Sequence, residues 1–555
     1  MRFILLLLAA SVPAAANTSI PGSDTALHGY VLGRYAQADD ALDRAAGYFN
    51  AARGIDGQEI ELTRRTFEIA VAAGNSALAF DMAGQLSNAG QRDSDIALIR
   101  LTDAVLKKDW PAADALRPGI ASAGYAIVVG PIVEAWMLYA RGKTGAAFAR
   151  LDPAAFKGFA RSYIAEQRAH MLTAAGRYAE AATAYAELGS GTGSGISFLR
   201  QGEADARAES GDREGAMKLL AGDDPTLAVA RARLQAGKRI GALAPDPRRG
   251  IGWMAARLAT DLSRDKPVPL ALLFARMGTF LAPDVSATWL ICGDVLARSG
   301  RNNTALLAYD QVPASDALAG AATPRRAEVL EAMGRESDVG TLLRAATIAP
   351  SATSEAWTRL GDWHRRNERF DDAVSAYDKA IAVAGQGAAG WNLFFLRGSM
   401  KERAGNWLAA EADLREALYR APDEPTILNY LGYSMLDRGG NPAEAARLIE
   451  RAAKLRPGDG GIIDSIGWSH FLQGRFADAV TALEQAVVLE STDPTVADHL
   501  GDAYWQVGRR IEARFRWRAA LDLDPSPALM KTLKAKLDFG LDAALAMSGA
   551  NTSTP

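Results

Sequence analysis

The sequence has little cysteine, little histidine and little net charge. Cys292 is the only cysteine among 555 residues, so the chain cannot form an internal disulfide. The 62 basic and 65 acidic residues leave a formal charge of −3, without the basic excess of a nucleic-acid-binding surface. An apolar content of 49% argues against a largely disordered chain. We therefore expect a folded protein that does not bind nucleic acid.

Residues 1–16 have the features of a secretory signal peptide. One basic residue, Arg2, precedes an apolar run from Phe3 to Ala10, and a site of small residues ends at Ala16. The run is too short to span a bilayer. We predict cleavage after Ala16 and a periplasmic or secreted location. The alternative is an unprocessed N-terminus and a cytoplasmic protein.

A repeat of about 34 residues is the main feature that the sequence does have. Glycines at the same place in successive units are separated by 37, 34, 35 and 34 residues in the second half of the chain: Gly361, Gly398, Gly432, Gly467 and Gly501. Two alanines follow each glycine, with one large residue between them: Tyr377, Leu414, Ile449, Leu483 and Trp517. This period predicts units of two antiparallel helices.

The residue types explain how two such helices pack. Glycine in the first helix lets the second helix approach, and the large residue fills the gap that remains. A glycine in the turn ends the first helix in the left-handed conformation, although Glu368 takes that place in one unit. Arg397 also departs from the pattern, since an apolar residue precedes the glycine in the other units. These features predict an all-α fold.

The repeat resembles the tetratricopeptide repeat family, with its pattern W-x-x-L-G-x-x-Y, then A-x-x-x-F, A and P. The resemblance implies an α-solenoid of stacked antiparallel helix pairs that binds a protein or peptide in its concave groove. It predicts this organisation: divergent repeats over 17–222, an irregular connector over 223–250, repeats over 251–527 that are strongest over 354–526, a capping helix over 528–547 and a disordered tail over 548–555.

Positions within the repeat also indicate the roles of the cysteine and histidine residues that could be catalytic or bind a metal. Cys292 lies directly before Gly293, at a core position that later units fill with leucine or isoleucine, so we interpret it as a buried packing residue. His364 and His470 occupy a position that suits an aromatic ring. The five histidines form no compact metal-ligand spacing, and no phosphate loop or nucleophile elbow occurs. We expect no catalytic residue, no cofactor and no metal.

A partner-binding stripe follows from the family's geometry. The first helices of these repeats line the groove, and the side chains three residues before and one residue after the glycine face it. In the last three units the positions facing the groove, and one a helical turn beyond, are Asn429, Tyr433, Asp464, Trp468, Asp498, Asp502 and Trp505. Such a stripe suits a peptide with basic or polar groups and an apolar anchor. The alternative is that the acids pair locally and the tryptophans pack against the next unit.

The closing units are similar to periplasmic repeat proteins of Gram-negative bacteria, among them a lipoprotein adaptor that delivers cell-wall hydrolases to a processing protease. The resemblance implies an exported, non-enzymatic scaffold in envelope or peptidoglycan turnover, with a protease or cell-wall enzyme as partner. No cysteine lies near Ala16 to accept a lipid anchor. The alternatives are a cytosolic assembly factor and an enzyme with its site in the divergent N-terminal half.

Overall fold

Helices form the secondary structure of the described residues, which contain no β-strand. In this computed structural model the described residues are 23–53, 60–121, 123–189, 196–222, 224–241, 243–264, 268–313, 316, 318–348 and 352–550. The predicted all-α class is confirmed. The predicted signal peptide and residues 551–555 of the predicted tail lie outside the described residues.

The chain divides into two compact units, Met1–Leu342 and Leu343–Pro555, here called unit 1 and unit 2. The helices of unit 1 are α1 (Ser23–Ala38), α2 (Leu42–Arg53), α3 (Ile60–Ala73), α4 (Ser76–Asn88), α5 (Ser94–Leu106), α6 (Trp110–Leu116), α7 (Ala126–Ala140), α8 (Thr144–Arg150), α9 (Gly158–Ala174), α10 (Tyr178–Gly189), α11 (Ile196–Glu209), α12 (Arg213–Leu219), α13 (Pro225–Gln235), α14 (Pro247–Leu262), α15 (Pro269–Leu281), α16 (Ser286–Arg298), α17 (Asn302–Tyr309) and α18 (Ala319–Ala332). Two 3-10 helices cover Arg117–Ile120 and Pro153–Ala155.

The division between the units falls within α19 (Glu336–Ile348). The helices of unit 2 that follow are α20 (Ser354–Arg366), α21 (Phe370–Ala384), α22 (Trp391–Arg403), α23 (Trp407–Arg420), α24 (Pro425–Asp437), α25 (Pro442–Leu455), α26 (Gly460–Leu472), α27 (Phe476–Leu489), α28 (Pro494–Gln506), α29 (Arg510–Asp522), α30 (Pro527–Phe539) and α31 (Leu541–Ala550).

Two stretches of the chain hold more helix than the sequence predicted. The predicted connector, 223–250, lies inside unit 1 and contains α13 and the first turn of α14. The predicted single cap of 528–547 consists of two helices, α30 and α31, and α31 extends to Ala550. Gly540, in the left-handed conformation, ends α30, and α31 begins at the next residue.

Unit 2 contains the close approach between paired helices that the repeat predicts. A Cβ atom placed on Gly361 of α20 would lie 2.6 Å from the Tyr377 ring of α21, and one placed on Gly501 of α28 would lie 2.4 Å from Nε1 of Trp517 in α29. The large residues of all five pairs are buried: Tyr377, Leu414, Ile449, Leu483 and Trp517. Burying a side chain of this size contributes about 1.5–3 kcal/mol.

A residue in the left-handed conformation ends the first helix of each of these five pairs. Four of these residues are glycines and the fifth is Glu368. Gly405, Gly439, Gly474 and Gly508 have φ angles between 68° and 84°, as the C-terminal turn of a helix often requires. Glu368 has the same role with φ of 56°, although a Cβ atom makes this conformation costly. The predicted replacement of the turn glycine therefore places a strained residue between α20 and α21.

Unit 1 uses the same pairing. A Cβ atom placed on Gly33 of α1 would lie 2.7 Å from the Phe49 ring of α2, and one placed on Gly293 of α16 would lie 2.3 Å from the Tyr309 ring of α17. Both rings are buried. The repeat pattern therefore corresponds to packed helix pairs in unit 1 as well, at α1 with α2 and at α16 with α17.

The later helices of unit 1 pack against its earlier first helices. Helix α14 packs against α7 and α9, and α15 packs against α3 and α5. Arg276 of α15 donates to the Ala72 carbonyl at 2.6 Å, and the Thr304 hydroxyl of α17 donates to the Asp40 carboxylate at 3.0 Å. Helix α15 is apolar around most of its circumference, as a helix packed on several sides must be. The chain itself thus covers the first helices of its N-terminal repeats.

Within the described residues, none of the helices combines the length and the apolar character that crossing a bilayer requires.

Candidate functional site

The first helices α24, α26 and α28 of unit 2 lie side by side and form one surface, here called the first-helix face. Helix α24 packs against α26, and α26 packs against α28, while each also packs against its own second helix. Side chains that point away from the second helices therefore meet across successive units. The predicted site residues lie on α24, α26 and α28 of this face.

Asp464 and His499 form an ion pair between α26 and α28. The Nδ1 atom of His499 lies 3.0 Å from both carboxylate oxygens of Asp464, and both side chains are buried. Burial by itself lowers the pKa of His499, but the Asp464 carboxylate outweighs that effect, so the pKa is raised. The pair therefore favours a protonated imidazole at the junction of two units.

The aromatic part of the predicted stripe surrounds this ion pair. The Trp468 ring stacks on His499 with centroids 4.1 Å apart, and on Phe471 with centroids 4.8 Å apart. The Tyr433 ring lies 6.5 Å from the His499 ring. Trp468 and Tyr433 are half-buried, so each keeps part of its ring accessible. The structure thus brings Tyr433, Asp464 and Trp468 together, as predicted.

Asp498 and Asp502 do not form the open acidic surface that the sequence predicted. Lys536 of α30 donates from Nζ to Asp498 and to Asp502, at 2.7 Å in each case, and all three side chains are buried. Nε1 of Trp517 donates to Asp502 at 2.9 Å. Burial, and then the Asp498 carboxylate, raises the pKa of Asp502 to about 6 against the opposing effect of Lys536. The C-terminal cap therefore covers these two acids.

Trp505 also contacts the cap. Its Nε1 atom donates to the Asp542 carboxylate at 3.0 Å. A Cβ atom placed on Gly540 would lie 2.4 Å from the Trp505 ring. Trp505 is half-buried and packs against the C-terminal cap, and its place in a groove stays a prediction.

Asp437 is an acidic residue of this face that the sequence analysis missed. It is exposed, ends α24 and lies one helical turn after Tyr433. Burial, followed by the carboxylates of Asp464, Asp437 and Asp493, raises the pKa of Tyr433. The i, i+4 spacing from Tyr433 was the available signal. We call Tyr433, Asp437, Asp464, Trp468 and His499 the Tyr433 patch.

The similarity of this chain to known proteins identifies the repeat. The family profile described as tetratricopeptide repeat matches residues 339–389 and 395–460, which include α24 and α25. These residues therefore carry tetratricopeptide repeats (TPRs).

Two curated relatives match part of the chain. A TPR repeat-containing protein of Pseudomonas aeruginosa is 35% identical over 192 residues, which cover 32% of this chain and 31% of that protein. The cytochrome c-type biogenesis protein CycH of Rhizobium meliloti is 34% identical over 105 residues, which cover 19% of this chain and 27% of that protein. The matched part of the chain thus spans less than a third of the length of each of these relatives.

Solved TPR structures also resemble parts of the chain. A TPR protein of Parabacteroides merdae has a TM-score of 0.38 at 13% identity and covers 45% of this chain and 96% of its own. A thermophilic TPR protein of Thermus thermophilus has a TM-score of 0.30 at 19% identity and covers 35% of this chain and 100% of its own. Both likenesses extend over less than half of this chain.

Equivalent positions of successive TPR units are paired differently. Asn429, Asp464 and Asp498 each lie three residues before the first-helix glycine. Asp464 forms an ion pair with His499 of α28, and Asp498 forms one with Lys536 of α30. The Asn429 side-chain oxygen is buried and has no hydrogen-bond partner among the described residues. Asp464 and Asp498 therefore join neighbouring helices through ion pairs. Asn429, at the equivalent position of α24, has no such partner among the described residues.

Cys292 and His364, the candidates for chemistry, lie in packing positions of their helix pairs. Cys292 is fully buried, and burial raises the pKa of its thiol, which keeps it protonated. His364 is buried with its ring 5.0 Å from the Trp363 ring, and burial followed by Arg369 lowers its pKa. The interpretation of Cys292 as a core residue is confirmed.

Proposed function

We propose that this TPR protein is an exported, non-enzymatic scaffold that binds a protein or peptide partner on the first-helix face of unit 2. TPR proteins serve as protein-interaction scaffolds, and stacked repeats present broad surfaces for this purpose. The Tyr433 patch is the observation that supports the location. It combines accessible aromatic rings with one exposed carboxylate beside a buried ion pair.

The chemistry of the patch favours a partner segment with a basic side chain next to an apolar one. Asp437 is exposed and forms no ion pair with another described residue. The Tyr433 hydroxyl makes no hydrogen bond to another described residue, so it is available as a donor or acceptor. A cation that approaches Asp437 also comes near the half-buried ring of Tyr433, whose face attracts cations.

Unit 1 is the less favourable location for this groove. Its helices α14 and α15 pack against the first helices α3, α5, α7 and α9. A partner would have to displace these contacts before it reached the same face there.

Export and an envelope role rest on other observations. The apolar segment before Ala16 supports export, and N-terminal sequencing of the mature protein from fractionated cells tests it. Retention of Met1 in the cytosolic fraction would favour a second role, that of a cytosolic assembly factor. The relative that is named for cytochrome c-type biogenesis supports a part in assembling another protein. A protease or cell-wall enzyme is the partner that we propose for an envelope adaptor.

Affinity purification of the tagged full-length chain from its native cells tests the proposed face. We expect Asp437→Lys to reduce recovery of the partner at least tenfold, because like charges at a contact cost several kcal/mol. Lysine also suits the C-terminal end of α24, so a loss of binding would not come from unfolding. Glu450→Lys, on the exposed side of α25, is the matched control. Equal recovery with both variants would overturn the proposed location.

A further inference from the structure

Helix α29 exposes two large apolar side chains on its outer side. Ile511 is 87% exposed and Phe515 is 70% exposed, and the two lie one helical turn apart. The opposite side of the helix buries Ala513, Trp517 and Ala520. The fold of unit 2 therefore uses one side of α29 and leaves the other, here called the α29 outer face, to solvent.

The repeat supplies its own comparison for these two positions. Counted from the first buried alanine of each second helix, the equivalents of Ile511 and Phe515 are Ala477 and Thr481 in α27, Ala443 and Arg447 in α25, and Leu408 and Ala412 in α23. Each of these pairs lacks a second large apolar residue. The packing of the repeat therefore does not require the pair on α29, and its exposure has no structural use in unit 2.

Arginines border the α29 outer face. Arg518 is exposed and lies three residues after Phe515, and Arg514 and Arg516 are the chain neighbours of Phe515. Arg514 donates to the Leu537 carbonyl of α30. Arg516 and Arg518 form no ion pair with another described residue. The position of Arg518 holds Glu484 in α27, Glu450 in α25 and Arg415 in α23. Arg415 is paired with Glu411 and Glu444, so an arginine without an ion pair at this position distinguishes α29 from these three helices.

We propose that the α29 outer face binds an acidic segment of a protein partner. The segment would cover Ile511 and Phe515 with apolar side chains and place carboxylates against Arg516 and Arg518. Arginine pairs with carboxylates in a planar, two-bonded geometry, and exposed aromatic anchors contribute much of the energy of protein interfaces. This surface faces away from the Tyr433 patch, so the two binding proposals stand or fall separately.

An anionic membrane fits the same face less well. Asp522 lies on it one turn beyond Arg518, where it would repel a negatively charged surface. Two apolar side chains on one short helix also bury less area than the long apolar face of a membrane-bound amphipathic helix. A folded partner can place its charges to avoid Asp522, whereas a lipid surface cannot.

Site-specific photo-crosslinking in native cells tests this proposal. The full-length chain carries p-benzoylphenylalanine in place of Phe515, and a control carries it in place of Leu408, which is 83% exposed on α23. We expect a protein adduct at Phe515 alone, joined to a segment with net negative charge. Arg518→Glu should reduce the yield at least fivefold, and it introduces a residue type that α25 and α27 already carry there.

The other results of this experiment would overturn the proposal. They are equal adducts at both positions, an adduct with lipid, an adduct with a second copy of the chain, no adduct, and an adduct whose yield Arg518→Glu leaves unchanged.

Discussion

The imidazole of His499 lies 3.0 Å from the Asp464 carboxylate, across the junction of two TPR units. Its pKa is raised in the folded chain, so protonation stabilises the fold. This contribution is fully present below about pH 6.5, the ordinary pKa of histidine, and is lost as pH rises through the higher folded value.

Asp464→Asn should remove most of that pH dependence. We expect wild type to lose more stability than the variant between pH 6 and pH 8. At pH 6 the variant should be less stable by about 1.5–3 kcal/mol, the usual worth of a hydrogen bond to a charged group. Urea unfolding across this pH range measures both effects. Parallel stability curves for the two proteins would contradict the assignment of the charge to His499.

Lys536→Met should strongly destabilise the C-terminal end of unit 2. The change leaves Asp498 and Asp502 buried without their cation, and breaking a buried ion pair in this way costs about 3–5 kcal/mol. Lys534→Met, at an exposed position of the same helix, is the matched control. Urea unfolding compares the two variants, and equal stability would mean that α30 does not dock through Lys536.

Gly501→Ala should destabilise unit 2 by about 1–3 kcal/mol through overpacking. The added Cβ atom would lie 2.4 Å from Nε1 of Trp517, which is fully buried and has little room to move. Gly461→Ala is the control, because its Cβ atom would come no closer than 3.5 Å to a neighbour. Thermal unfolding that shifts equally in both variants would show that the close approach of α28 and α29 is not needed.

Glu368→Gly should stabilise the chain. Glycine relieves about 1–2 kcal/mol of left-handed strain at φ of 56°, and the added freedom of the unfolded chain offsets roughly 0.4–1 kcal/mol of that gain. Glu368→Ala keeps a Cβ atom and should give no such gain. Urea unfolding distinguishes them, and a glycine variant no more stable than the alanine variant would argue against strain at this turn.

Local repetition explains how much of unit 2 could be predicted from the sequence. Glycine and a large residue sixteen positions apart predict their own contact, and Gly361 with Tyr377 confirms it. The same phase identified Cys292 as a core residue. It also brought Tyr433, Asp464 and Trp468 to one face, because equivalent positions of stacked units point the same way.

Contacts between segments that are not neighbouring repeats could not be predicted from the sequence. Lys536 lies beyond the last full unit, so nothing in the repeat indicates that its side chain reaches Asp498 and Asp502. The contact of Thr304 with Asp40 spans 264 residues, and the local pattern of either segment does not name the other. Helix α30 thus buries Asp498 and Asp502, two residues of the predicted groove, through Lys536.

Hydroxyl-radical footprinting of the full-length chain, alone and with its co-purified partner, tests binding on the first-helix face most directly. We expect the partner to reduce oxidation of Tyr433 and Trp468 several-fold. Tyr419, which is 81% exposed on the outer side of α23, should keep its reactivity and serves as the internal control. Protection of Tyr419 with unchanged oxidation of Tyr433 and Trp468 would contradict the account.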